Sequence, residues 1–174
     1  MKINHPVNID LLTFFKTGAF DYLKLGQTKK QIINNFPDPD DMFPDSYNTP
    51  VWFYGNIELH FHDDDETLYL IYSDYIDDLD GGESLQLEKW ILNEPEKLTL
   101  EYVIHQLNKE RIEFSLKHGM LSDGFCSAAI VLSESKVSLS FVPVEQDDEE
   151  YDQYLVRCRT ADSNHFKLVS FGLG

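Results

Sequence analysis

The chain has 174 residues, 42% of them hydrophobic and 13% aromatic, which is enough apolar material for a packed core and excludes general disorder. Its 31 acidic residues against 14 basic ones leave a formal charge of −17, a field that repels nucleic-acid phosphates and anionic membranes and draws basic surfaces. Cys126 and Cys158 have the spacing of neither a disulfide framework nor a paired thiolate metal site, and no run of about 18 apolar residues or export signal stands out, so a cytoplasmic protein without a membrane span is expected.

In chain order, the first predicted element is a short helix capped by Asn8 and reaching Lys16, with Leu11, Leu12 and Phe15 on one side and Gly18 as its left-handed stop. Thr28 followed by Gln31 is a capping-box pattern, and Ile32, Ile33 and Phe36 form the apolar stripe of a second helix that Pro37 ends. A proline-rich acidic loop follows as far as Pro50. From Val51 the period changes to two. Val51 to Tyr54 reads as a strand, Gly55-Asn56 as a tight turn, and Ile57, Leu59 and Phe61 alternate with Glu58, His60 and His62 as a half-buried strand. After the polar turn Asp63 to Glu66, Leu68 to Tyr75 reads as a strand covered on both faces, and Leu85 and Leu87 as one more before Pro95 closes the unit.

The pattern then restarts. Thr99 caps a helix carrying Leu100, Val103, Ile104 and Leu107, and strands are expected at Ile112 to Phe114, Phe125 to Leu132, Val137 to Val142, Tyr154 to Cys158 and Phe166 to Phe171. The two halves align in order: Thr28, Ile32 and Phe36 fall on Thr99, Val103 and Leu107; Ile57-Glu58-Leu59-His60-Phe61 falls on Val137-Ser138-Leu139-Ser140-Phe141; and Leu68 to Tyr72 falls on Tyr151 to Arg157. The expected fold is α+β, with two similar helix-on-antiparallel-sheet units, residues 1–95 and 96–174, closely packed and able to form one continuous sheet.

The run Leu25-Gly26-Gln27-Thr28-Lys29-Lys30-Gln31-Ile32-Ile33, with Phe36-Pro37 and Trp52-Phe53-Tyr54-Gly55 after it, resembles the opening module of the SmpA/OmlA family. That family is related in fold to the secreted β-lactamase inhibitor protein, which has two such modules. The resemblance covers residues 23 to 72, with a fainter echo from Thr99 to Cys158, and implies two helix-on-sheet units with a broad face for a protein partner. The chain departs from it in having neither the lipidated cysteine of the lipoprotein nor the disulfides of the inhibitor.

Among chemical constellations, His60 and His62 project from one face of a strand together with Glu58, a geometry suited to a metal ion held by two imidazoles and a carboxylate. The competing reading is a solvated strand face, and Ser138 and Ser140 stand at the matching positions of the second half. Asp74, Asp77, Asp78, Asp80 and Glu83 surround Gly81-Gly82, but an EF-hand alignment on Gly81 puts Ile76 and Leu87 where the first and last ligands belong, which excludes that calcium loop. These acids, with Asp147, Asp148, Glu149 and Glu150, form the expected surface for Lys and Arg side chains of a basic protein partner. The nucleophile-elbow, phosphate-loop, dinucleotide-turn and zinc-protease motifs are all missing, so no catalytic residue and no cofactor is assigned. The sequence reading is an acidic protein-binding module of the inhibitor or toxin-immunity kind. Its alternatives are a small metal-dependent enzyme using the His-x-His strand and a structural or regulatory subunit.

Overall fold

The structure, a computed structural model, describes residues 5–42, 48, 50–121, 125–143, 150–160 and 163–174. It is α+β. The chain opens with a short strand β1 (Val7–Asp10), then helices α1 (Leu11–Thr17) and α2 (Lys29–Asn35), and strands β2 (Asp41–Met42), β3 (Val51–Tyr54), β4 (Ile57–Phe61), β5 (Leu68–Ser73) and β6 (Leu85–Glu88). There follow α3 (Leu100–Lys109), β7 (Phe114–Met120), β8 (Cys126–Leu132), β9 (Ser138–Val142), α4 (Tyr151–Thr160) and β10 (Lys167–Leu173). Eight strands make one antiparallel sheet in the order β2-β3-β4-β5-β10-β9-β8-β7, and β1 pairs in parallel with β6 in a separate two-stranded sheet.

Local chemistry explains most of these elements. Thr28 and Gln31 form the expected reciprocal capping box on α2, and Thr99 accepts from the Tyr102 N–H at the start of α3. Gly18, at φ 75°, closes α1 through a bond from its N–H to the Phe14 carbonyl. The cap of α1 is Asp10 and not Asn8, because Asn8 lies in β1 opposite Gln86 and the helix can begin only once that pairing ends. The segment Tyr154 to Cys158 is helical and not a strand. Acidic Asp152 lies in the first turn of α4 and Arg157 and Arg159 in its last, the arrangement the helix dipole favours. The match of Tyr151 to Arg157 with Leu68 to Tyr72 therefore falls, and the strand that joins β5 is β10.

The threonine-capped starts of α2 and α3 are fastened to the sheet in the same way. Leu68 N–H donates to the Gln27 carbonyl and Lys29 N–H to Glu66, while Leu168 N–H donates to Leu98 and Leu100 N–H to Phe166. α2 is thereby tied to the start of β5 and α3 to the start of β10, the two strands that meet at the centre of the sheet.

Alternation across the sheet separates two faces. On the inner one Trp52, Leu59, Ile71 and Leu173 lie in register, as do Ser73, Phe171, Leu139 and Ile130. The apolar side chains of these rows join Leu11, Phe14, Phe15, Ile32, Leu100, Val103 and Leu107 of α1, α2 and α3 in one buried cluster. Phe171 meets Phe14 and Phe15 edge-on at 6.2 and 5.6 Å between ring centres, and Phe36 meets Tyr54 at 5.5 Å. On the other face a single row crosses all eight strands, Asp41-Phe53-Glu58-Tyr72-Gly172-Ser138-Val131-Ser115. From Phe53 to Val131 these residues are only half-buried, and β5 is accordingly covered on one face rather than two, with Tyr69 exposed.

Candidate binding surface

The loop Asp74-Tyr75-Ile76-Asp77-Asp78-Leu79-Asp80 alternates anchors with acids. Ile76 and Leu79 are buried in the main cluster, which forces Asp77, Asp78 and Asp80 outward, and the exposed Tyr75 stands among them. Asn56 in the β3–β4 turn holds the far side of the loop, its side-chain amide donating to the Asp78 carbonyl at 2.7 Å and its backbone N–H to Asp80 at 2.9 Å. Loop shape is thus set by buried hydrocarbon and backbone bonds, leaving the carboxylates free for solvent or a partner.

Asp74, Asp77 and Asp78 line a cleft of about 400 Å³ with Tyr75, Ile76, Pro95, Glu96 and the β10 residues Lys167, Leu168 and Val169. Lys167 donates from Nζ to the Glu96 carbonyl, so the ammonium is held at one wall. Asp80 and Glu83 belong elsewhere, on a groove of about 380 Å³ that includes Pro6, Leu85 and Lys89. The five acids of this segment therefore divide into two sets. Glu96 and Lys167 were not legible as neighbours of the acids, since only the β5–β10 pairing and the Thr99–Lys167 bridge bring them together.

The second acidic tip, Asp63 to Glu66, lies at the opposite end of β5. There Thr67 donates its backbone N–H and its hydroxyl to Asp65, at 3.0 and 2.6 Å, and the hydroxyl bond is the main reason that the Asp65 carboxyl sits below the usual aspartate range. Glu66 faces the buried Lys29 ammonium at 3.6 Å, and that ammonium also lies 5.3 Å over the Phe61 ring. Asp147, Asp148 and Glu149 lie outside the described residues. Glu150 is exposed, and its carbonyl accepts from the Gln153 and Tyr154 N–H groups as α4 begins, so it precedes a helix and not a hairpin strand.

The His-x-His strand is only partly assembled. His60 Nε2 and Glu58 Oε2 are 2.7 Å apart on the outer face of β4, but the register shifts between His60 and Phe61, the strand ends, and His62 lies instead against the Tyr69 ring at 4.5 Å. Among the described residues no group of three or more His, Cys, Asp or Glu side chains is placed to hold a metal ion.

The outer face differs from an ordinary solvated sheet. Its central positions, Leu70, Tyr72, Gly172, Ser170, Ser138, Ser140, Ala129 and Val131, carry no charge although the chain is 26% charged, and Glu58 already has His60 as its partner. Depletion of charge together with aromatic residues, here Phe53 and Tyr72, is the composition of a binding surface's centre. No family model, curated protein or solved structure matches the chain. No helix among the described residues is long and apolar enough to cross a membrane.

Proposed function

We propose that this is a cytoplasmic binding module that docks on a basic protein partner, in the manner of an inhibitor or immunity protein. The observation that carries the reading is the cleft at the end of β5, where Asp74, Asp77 and Asp78 stand around Tyr75, together with a sheet face whose central positions carry no charge. Carboxylates next to an aromatic ring suit a lysine or arginine side chain, and the neutral face suits the desolvated centre of an interface whose charged rim steers association. The resemblance to SmpA/OmlA modules supports the same reading through fold-level analogy, with the two halves as repeats of one helix-on-sheet plan. The metal-enzyme alternative is less favoured, since it needs His62 beside His60.

The test compares wild type with Asp74→Asn/Asp77→Asn/Asp78→Asn in pull-downs from the native host at low and high salt, followed by association kinetics on the captured protein. A basic protein held at low salt and released at high salt is expected, with an association rate about tenfold or more slower for the variant. A captured protein that binds both forms at the same rate overturns the assignment.

A further inference from the structure

The C-terminus of α3 carries a glycine-type stop without a glycine. The Arg111 N–H donates to the Asn108 carbonyl at 3.1 Å and the Ile112 N–H to Leu107 at 2.9 Å, and Arg111 itself has φ 58°. In this paired-bond motif the left-handed residue is ordinarily glycine, because a side chain there crowds the backbone. Ile112 is buried and closes the motif against the core beside Leu107. The guanidinium contributes nothing comparable, since Arg111 is exposed and its side chain makes no hydrogen bond or ion pair with any described residue. A local rule broken without a structural return marks a place to look for function.

Arg111 lines a cleft of about 560 Å³ together with Glu113 and with Glu134 of the β8–β9 turn. A bond from the Ser133 N–H to the Glu113 carbonyl, at 2.8 Å, ties the two acidic walls together. Lys16 and Glu110 also line the cleft, but they pair with each other at 2.8 Å. One cation and two carboxylates therefore face the cleft without an ion-pair partner among the described residues. We propose that this cleft binds a ligand of the complementary pattern, one carboxylate accompanied by two cations, as in a free basic amino acid or the C-terminal end of a short basic peptide. The arginine fork takes the carboxylate in a two-pronged bond, and Glu113 and Glu134 take the cations. Such a ligand is positive overall, so the field of the −17 chain draws it in. The cleft shares no lining residue with the one at the end of β5, and the proposal stands apart from the docking reading.

The probes are L-lysine, the dipeptide lysyl-lysine and the C-terminal amide of that dipeptide, titrated into the whole chain by calorimetry at low salt. Non-specific attraction to an acidic protein favours the amide, which carries one more positive charge, so preference for the free carboxylate can come only from a cation in the site. Saturable binding of the dipeptide is expected, about tenfold or more tighter than the amide, with a similar loss in Glu113→Gln/Glu134→Gln. Lysine binding as tightly as the dipeptide supports the amino acid as ligand, and weaker lysine binding supports the chain end. Arg111→Gly is expected to abolish the preference for the carboxylate while the melting temperature holds or rises, because glycine suits the left-handed backbone. No saturable binding of lysine or dipeptide, or equal affinity for dipeptide and amide, overturns the proposal. A lower melting temperature in Arg111→Gly with the preference intact also overturns it, and assigns the arginine to the fold.

Discussion

Lys16, in the last turn of α1, bonds through Nζ to Glu110 Oε2 at 2.8 Å, joining the end of the first helix to the C-cap of α3. The bond to Lys16 is the main reason that the Glu110 carboxyl sits below its usual value of 4.5. A depressed carboxylate stabilises the folded chain above its unfolded pKa, and the contribution is lost as the pH falls through the folded value. Glu110→Gln is therefore expected to lower the melting temperature slightly at pH 7, more so at low salt, and the difference shrinks as the pH falls below 4.5. Melting curves from pH 7 to pH 3 check this, and a constant difference across the series contradicts it.

Gly82 is fixed by its surroundings as much as by its backbone. It has φ 65°, and a Cβ there would meet Asp40 Oδ2 at 1.8 Å and the Gly55 nitrogen at 2.6 Å. Asp40 is itself engaged, accepting from the Gly55 N–H and from the Ser84 hydroxyl. Gly82→Ala is expected to cost about 3 kcal/mol, from the left-handed backbone and the overlap together. Gly26, at φ 84° with nothing within 4 Å, separates the two effects, since Gly26→Ala meets only the backbone penalty of about 1 kcal/mol. Urea unfolding of both variants tests the contrast, and equal losses would remove the steric account.

Legibility in the sequence followed the range of the interactions involved. The β3–β4 hairpin was readable because Val51 to Phe61 alternates with period two around Gly55-Asn56, and α2 because its capping box lies within four residues. Tyr154 to Cys158 misled because Tyr154 and Val156 favour strands locally, although Asp152 before the segment and Arg157 and Arg159 at its end carried the helical signal. Most of β7 was missed for a different reason. Ser115-Leu116-Lys117-His118-Gly119 has little strand propensity, and the pairing with β8 alone makes it a strand. The candidate cleft was half legible: its acids stand in one segment, while Glu96 and Lys167 arrive only through tertiary structure.

Asp10 supplies a second pH-dependent element. Its Oδ1 accepts from the Leu12 and Thr13 N–H groups at 2.9 and 3.3 Å, and its Oδ2 from the Thr13 hydroxyl at 2.6 Å. The hydroxyl bond is foremost in holding the carboxyl below its usual 3.8. Asp10→Ala is expected to destabilise by about 1 kcal/mol at pH 7, as loss of an N-cap does. The loss shrinks as the pH falls below 3.8, because the wild-type carboxyl must then be protonated too. Asn8→Ala, which leaves the cap in place, is expected to change stability little. The reverse ranking of the two variants in thermal unfolding at pH 7 would return the cap to Asn8.

Phe171 tests whether the two halves of the sheet unfold as one. It lies in β10, opposite Ser73 of β5 on one side and Leu139 of β9 on the other, and its ring is buried against Phe14 and Phe15 of α1. Truncation there removes packing shared by elements from both ends of the chain. Phe171→Ala is expected to cost about 3–5 kcal/mol, a large share of the roughly 5–15 kcal/mol typical of a domain. Because one buried cluster runs from Ile9 to Leu173, the loss should shift a single urea transition to lower concentration with its slope unchanged. Tryptophan fluorescence reports the half containing Trp52 and Trp90, and far-UV circular dichroism reports the whole chain. Coincident curves follow from a shared core, whereas a fluorescence transition left in place while the dichroism curve splits would mean that residues 1–95 fold independently of the rest.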